Sequence, residues 1–279
     1  MKKIGDGIFY ETGFAGVTLG AIIRQRGILM IDTPLLAEDL RAWKAALLAQ
    51  NHGTHHMIIL LDAHLDRTLC GSKSPYPVIA HTQVMEEIAN NKPPQQRSQS
   101  NDTGACWETL GNINRQHKPE ICFSEALSLH WSGLDVYIEH HPGPAPGASW
   151  VHIPEAKVLF IGDAVLPNQP PFLEKADLEA WHETLNYLAS RKFYDYTIVS
   201  GRDEIITIEE VRAFREYLRS IRGRMETLAN RGGQAEETEK FIQPLLEKIA
   251  FPASKQEQFA QRLKYGLFHY YQRHYRQDA

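Results

Sequence analysis

The chain changes hydrophobic rhythm several times, and each change predicts an element. Residues 7–33 carry "GIFYETG" and "VTLGAIIRQRGILMIDT". Both are β-branched and aromatic, and a turn at Arg24–Gly27 divides the second, so they predict strands. In "LAEDLRAWKAALLAQN" the apolar residues Leu40, Trp43 and Leu47 recur at helical spacing. "HMIILLD" and "YPVIAH" are short apolar runs of the kind buried in parallel sheets, and "TQVMEEIANN" after the second reads as a helix. Strands alternating with helices predict an α/β layer structure.

Residues 90–119 break the rhythm. "NNKPPQQRSQSNDTG" is polar and interrupted by prolines, and predicts an exposed loop or insertion. Alternation resumes at "ALSLHW", turns at Ser132-Gly133, and continues in "LDVYIEHH". "SWVHIP" and "KVLFIGDAV", joined at Glu155-Ala156, predict another hairpin. "DLEAWHETLNYLAS" is an amphipathic helix through Leu178, Trp181, Leu185 and Leu188, and "DYTIVSG" is a last buried strand.

From Thr207 the pattern is helical. Thr207 and Glu210 fit a capping box. Val211, Phe214, Leu218, Ile221, Met225 and Leu228 follow at steps of three and four, and Gly232-Gly233 ends the run. Ser254 and Glu257 fit a second capping box before "FAQRLKYGLFHYYQRHY". The expected division is therefore an α/β domain over 1–206 and a helical extension over 207–279, packed on it.

Composition adds little to this picture except in its distribution. The 279 residues suffice for a large core, and no apolar run is long enough to span a bilayer. No apolar stretch follows Lys2 and Lys3, so no signal peptide is expected. Cys70, Cys106 and Cys122 form no CxxC pair and read as free thiols in a reducing cytoplasm. The net charge of -4 hides an asymmetry: residues 211–279 hold 13 Lys and Arg against 8 Asp and Glu, leaving 17 against 26 before them. A basic helical tail can meet an acidic partner. Its basic residues are mixed with acids and lack an aromatic platform, so the pattern does not favour nucleic acid. Its apolar stripe offers a surface for homodimerisation.

The candidate chemistry lies where predicted strands end, as it does in many α/β proteins. "LLDAHLDRTLCG" follows one strand with Asp62, His64, Asp66 and Arg67; Asp163 follows "KVLFIG"; Arg202 follows "TIVSG". Each residue also has a plain structural role open to it. Asp62 can cap the following turn, His64 can be a hydrogen-bonded interior histidine, and Asp163 can accept backbone N–H bonds. His81, after a buried strand, reads as packing. The glycines of "GFAGVTLGAII" match no phosphate-loop spacing, and no Ser or Cys sits in a nucleophile elbow.

The order of these motifs resembles the metallo-β-lactamase superfamily over nearly the whole chain from Ile8. The N-terminal hairpin, "MIDTP", the strand into the polar loop, "PVIAH", "HPGPAPGASWVHIPEAKVLFIGDAV" and "VSGRDE" fall in that family's order. "PGPAPGASWVHIPEAKVLFIGD" is the most specific stretch. The resemblance implies an αββα four-layer sandwich with a C-terminal helical extension. It also implies a ligand loop of the form His-x-His-x-Asp-His. Here Asp62 takes the first His place, His64 and Asp66 match, and Arg67 takes the last His place. Pro144 stands at the His of the Pro-Gly-His segment, Asp163 matches the bridging Asp, and Arg202 replaces the final His. Three of the family's seven ligand positions survive.

These changes are physically coherent. Without cations, Asp62, Asp66 and Asp163 repel one another. Two like charges about 4 Å apart cost roughly 4 kcal/mol at an effective dielectric near 20. Guanidiniums are permanently charged and fork onto carboxylates, so Arg67 and Arg202 are expected to pair with Asp66 and Asp163 where the second metal would sit. The first expectation is thus a member whose dinuclear centre is lost, with little or no hydrolysis and a pocket kept for a small-molecule ligand. The alternative is a hydrolase of an ester, lactone, thioester or phosphoester. It would use one zinc, manganese or iron ion on Asp62, His64 and Asp163, with His140, His141 or His152 as substitute donors. Asp66, Arg67 and Arg202 would then line the pocket, the arginines acting as oxyanion clamps. Assembly through the helical tail is a third, weaker expectation.

Overall fold

In the computed structural model, which describes residues 1–50, 53–69, 75–90, 103–106 and 118–276, the two predicted strand groups form two sheets. The first sheet runs in sequence order: β1 (Lys2–Gly5), β2 (Ile8–Glu11), β3 (Leu19–Arg24), β4 (Gly27–Ile31), β5 (His55–Ile59), β6 (Val78–His81) and β7 (Ile121–Phe123). Its first four strands are antiparallel, and β4 to β7 are parallel. The second sheet contains β8 (Ala126–Trp131), β9 (Leu134–His140), β10 (Ser149–Ile153), β11 (Val158–Phe160), β12 (Thr197–Val199) and β13 (Ile205–Ile206). Within it only β11 and β12 are parallel.

The strand patterns explain the layering. Ile22, Leu29, Ile31, Ile59 and Ile79 from the first sheet meet Val136, Ile138, Val151, Phe160 and Val199 from the second in one core. The opposite face of the first sheet buries Ala21, Ile28, Met30 and Ile58 against helices α1 (Ala37–Leu48) and α3 (Thr82–Asn90). Leu40, Trp43 and Leu47 are the buried face of α1, at the spacing read from the sequence. A short helix, α2 (Leu65–Thr68), follows the polar loop after β5. The outer face of the second sheet packs on α4 (Leu178–Leu188), α5 (Ile208–Asn230), α6 (Ile242–Leu246) and α7 (Gln256–Tyr275). The result is the expected αββα sandwich with a C-terminal helical region.

Two local expectations need correction. Lys2–Gly5 adds an edge strand that the sequence pattern did not reveal, because it is short, polar and largely exposed. The Ser254–Glu257 capping box does not form. Ser254 lies inside a 3-10 turn, Ala253–Lys255, and α7 starts without a side-chain cap. A capping serine must sit in extended backbone, so the motif alone is not sufficient. The Thr207–Glu210 box does form, in both directions. Cys106 and Cys122 are free thiols; Cys70 and most of the polar insertion at 90–119 lie outside the described residues. Among the described residues, no helix is long and apolar enough to cross a membrane.

Candidate functional site

Parallel pairing places four strand ends together. β4 ends just before Asp32, β5 before Asp62, β11 before Asp163 and β12 before Arg202. Backbone hydrogen bonds join these ends across the sheets: Gly201 N–H to Gly162 O at 2.7 Å, Thr18 N–H to Gly201 O at 2.8 Å, and Ser149 N–H to Leu61 O at 2.8 Å. Gly201 is required here. A Cβ on it would come within 2.6 Å of Arg67 Nη2 and of the Gly162 carbonyl carbon.

Arg67 is the centre of the site and is fully buried. Its Nη1 donates to Asp32 Oδ2 at 2.9 Å and its Nη2 to Asp163 Oδ1 at 2.5 Å. Nε lies 2.9 Å from Asp62 Oδ1, off the line of its N–H, so this contact is an ion pair without a well-directed hydrogen bond. Arg202 completes the arrangement with a side chain 3% exposed. It donates from Nε to Asp163 Oδ2 at 2.8 Å, and forks from Nη1 and Nη2 onto Asp66 Oδ2 and Oδ1 at 2.5 and 3.2 Å. Asp163 therefore has one guanidinium on each oxygen.

The expectation for the arginines holds for Arg202 and, through Asp163, in part for Arg67. Arg67 pairs with Asp32, Asp62 and Asp163, and its neighbour Asp66 pairs with Arg202. Consecutive residues on a helical turn point about 100° apart, so Asp66 and Arg67 face different partners from α2.

Asp62, His64 and Asp163 lie close enough to hold a metal ion, with one donor atom from each within 4.8 Å of the others. His64 Nδ1 is 3.0 Å from Asp62 Oδ1 and 3.4 Å from Asp163 Oδ2. Asp62 Oδ1 also accepts the His64 backbone N–H at 2.9 Å, which is the turn-capping role. Among the described residues, the buried Asp62 Oδ2 has no hydrogen-bond partner.

The candidate substitute donors lie elsewhere. His140 Nδ1 bonds to Ala148 O, and its ring stacks on His81. His81 is buried against Ser124 O, as packing. His141 stacks on Trp150, and His152 lies between Glu139 and Tyr196.

The charges set one another's protonation. Burial pushes the Asp163 carboxyl up, but Arg202, Arg67 and His64 outweigh it and hold its pKa well below the usual range. Burial likewise opposes ionisation of Asp62, and Arg67 and His64 prevail. Desolvation lowers His64, yet the negative charges of Asp62 and Asp163 raise it on balance, favouring the imidazolium. Asp32 goes the other way. Burial raises its pKa to about 7, with Arg67 opposing and Asp62 and Asp163 adding repulsion.

Residues 72–196 match the family model described as the Metallo-beta-lactamase superfamily. Among solved structures, the sec-alkylsulfatase Pisa1 from Pseudomonas sp. aligns with a TM-score of 0.71 at 15% identity, covering 98% of this chain and 49% of that one. The chain thus spans about half the length of that enzyme. A metallo-beta-lactamase family protein from Thermus thermophilus aligns at 0.64 and 19% identity, covering 96% and 93%. The DIM-1 metallo-beta-lactamase aligns at 0.61 and 16%, covering 78% and 96%. This is a metallo-β-lactamase-fold protein. No curated protein matches its sequence.

Proteins of the metallo-β-lactamase superfamily usually bind divalent metals. Two permanent cations stand among the carboxylates, and both oxygens of Asp163 are committed to them. Pro144 brings no donor.

Four residues of the site carry no signal in the sequence that assigns them to it. Asp32 adopts a left-handed backbone at φ 59°, with Oδ1 accepting the Leu61 N–H and Oδ2 holding Arg67. Its segment "MIDTP" stands in the motif order without pointing to that role. Phe172 lies beside His64, at 4.9 Å between ring centroids, and under Arg202. Cys106 Sγ lies 3.6 Å from Asp66 Oδ2, and burial with the Asp66 charge raises its thiol pKa to about 11. Arg262 reaches the site from α7. Nothing in local spacing marks the last three. A cleft of about 320 Å³ opens beside Arg202, lined by Thr12, Pro167, Asn168, Asp203, Glu204 and Glu210 among others.

Proposed function

We propose that this chain has lost the dinuclear metal centre of its fold, and that Arg67 and Arg202 replace the cations as internal counter-ions. One observation carries this reading: two buried guanidiniums bridge four carboxylates at the four strand ends. Each arginine removes a repulsion that a metal would otherwise neutralise, and each adds a fixed positive charge where a metal would sit. Hydrolysis by a metal-activated water is then absent or weak, and the fold serves to bind a small molecule in the space beside Arg202. The helical segment 207–279 acts as an extension of the 1–206 domain, packed through the core that α4, α5 and α7 share.

A second reading has one observation in its favour. The buried, unpartnered Asp62 Oδ2 lies in the group formed by Asp62, His64 and Asp163, which would hold a single divalent cation. In that reading Arg67 and Arg202 stabilise an oxyanion of an ester, lactone, thioester or phosphoester. The alkylsulfatase name of the Pseudomonas relative is compatible with an anionic ester substrate.

Metal content separates the two. The chain is purified without chelator or His tag, its transition metals are measured by mass spectrometry, and zinc, manganese and iron are titrated by calorimetry. The first reading expects no stoichiometric metal and no saturable heat. About one tight metal per chain, lost in His64→Ala, would replace it with the second.

A further inference from the structure

Among the described residues, the site contains a third buried guanidinium that forms no ion pair. Arg262 of α7 is 4% exposed. Among the described residues no carboxylate lies within ion-pair distance of it. Its partners are the Gly104 carbonyl, at 3.4 Å from Nε and 3.3 Å from Nη2, Gln169 Oε1 at 2.9 Å and the Pro170 carbonyl at 3.1 Å. Two aromatic faces complete its surroundings, Phe172 at 4.1 Å and Phe259 at 5.0 Å. Phe172 in turn separates Arg262 from Arg202, whose guanidinium is 4.9 Å from the same ring.

Arg202 is paired directly with Asp66 and Asp163, whereas Arg262 meets these carboxylates only at longer range. Burial lowers the pKa of Arg262 to about 9, and repulsion from Arg202 adds to this. Buried charges in proteins are ordinarily paired. Carbonyl oxygens and ring faces orient a guanidinium but do not cancel its charge. Phe172 is only half-buried, so this edge of the site reaches the surface. The cleft on the other side of Arg202 is lined by Asp203, Glu204 and Glu210 and would repel an anion.

We propose that the edge formed by Arg262 and Phe172 is an anion-recognition site, which takes the carboxylate, sulfate or phosphate group of a small molecule. The proposal rests on the reading of Arg202 as an internally paired cation, and it places an anionic group at a second edge of the site, away from the acidic cleft. It also gives α7 a part in binding, since that helix supplies the charge.

Inorganic sulfate and phosphate are the probes, each compared with chloride at equal ionic strength. Sulfate and phosphate also stabilise proteins generally, by exclusion from their surfaces, and this acts on every variant alike. The readout is therefore the difference between wild type and Arg262→Met in anion-induced Tm rise. At about ten times Kd a specific site adds roughly 2–4 °C to a chain of this size. That increment should vanish in Arg262→Met and persist in Arg262→Lys. Should Arg262→Met fail to fold, calorimetric titration of sulfate into the wild type decides: a saturable heat near one per chain that phosphate competes away supports the site. Equal anion responses in wild type and Arg262→Met, or no saturable heat, would overturn it. A zinc titration run in parallel keeps the two readings apart. Zinc binding with His64 required would overturn the metal-loss reading. Neither zinc nor anion binding would leave that reading standing and remove this one.

Discussion

The strand ends and the C-terminal helix bury guanidiniums in opposite ways. At the strand ends, Arg67 and Arg202 are held by Asp32, Asp62, Asp66 and Asp163. On α7, Arg262 is held by carbonyls, an amide oxygen and two aromatic faces. In the first region each charge neutralises its neighbours, so removing one leaves several uncompensated. In the second the charge stands alone, so removing it leaves only unsatisfied carbonyls. Charge that is internally spent has a structural role. Charge that is not spent inside is available to something outside.

Substitution should expose this difference first through stability. Arg67→Met keeps most of the volume but leaves Asp32, Asp62 and Asp163 buried without their shared cation. Breaking a buried pair by removing one partner costs about 3–5 kcal/mol, and urea unfolding should show a loss in that range. Arg262→Met should cost less, about 1–2 kcal/mol, from the carbonyls left unpaired at Gly104 and Pro170. Equal losses in the two variants would break the contrast.

A steric test sharpens the same contrast. Gly201→Ala places a methyl 2.6 Å from Arg67 Nη2 and from the backbone of Gly162. Neither can yield easily, since one is pinned between Asp32 and Asp163 and the other is main chain. Overpacking of this kind costs about 1–3 kcal/mol, to be read from the denaturation midpoint.

The net pH dependence is a balance of opposing groups. Asp32 has a folded pKa near 7, above its ordinary value of 3.8. The folded state therefore holds its proton more tightly than the unfolded chain. This contribution is fully present below about pH 4 and is lost as pH rises through about 7. His64, also raised, adds a loss of the same sign as pH passes its own folded pKa. Asp62 and Asp163 have lowered pKa values and act oppositely, so their contribution is present above about pH 4 and is lost as pH falls through their folded values. Asp32→Asn keeps a side chain that tolerates the left-handed backbone and removes the titration. Stability of the variant should fall less than that of wild type between about pH 4 and 7. Identical slopes would mean that Asp32 does not titrate there.

The same contrast governs what the sequence revealed. Helix faces such as Leu40, Trp43 and Leu47, or Val211 through Leu228, are local patterns, and the structure buries them as spaced. The order of strands and of strand-end motifs was legible enough to place Asp62, His64, Asp66, Arg67, Asp163 and Arg202 in one neighbourhood. The pairing inside that neighbourhood was not. Asp66 and Arg67 are adjacent in sequence but diverge on a helical turn, and Arg67 turns to Asp32, 35 positions earlier. Phe172 and Arg262 meet only because α7 returns across the loop after β11. A residue whose partners come from three distant segments leaves no periodic signal. The Ser254–Glu257 motif shows the converse, a local signal that backbone conformation overrules.

The most direct test of the central claim is a crystal structure from crystals soaked in zinc, with anomalous data at the zinc edge. The account predicts Arg67 forked between Asp32 and Asp163, Arg202 on Asp66 and Asp163, and no anomalous peak among them. A zinc peak within bonding distance of His64, Asp62 and Asp163, with either guanidinium displaced, would contradict it.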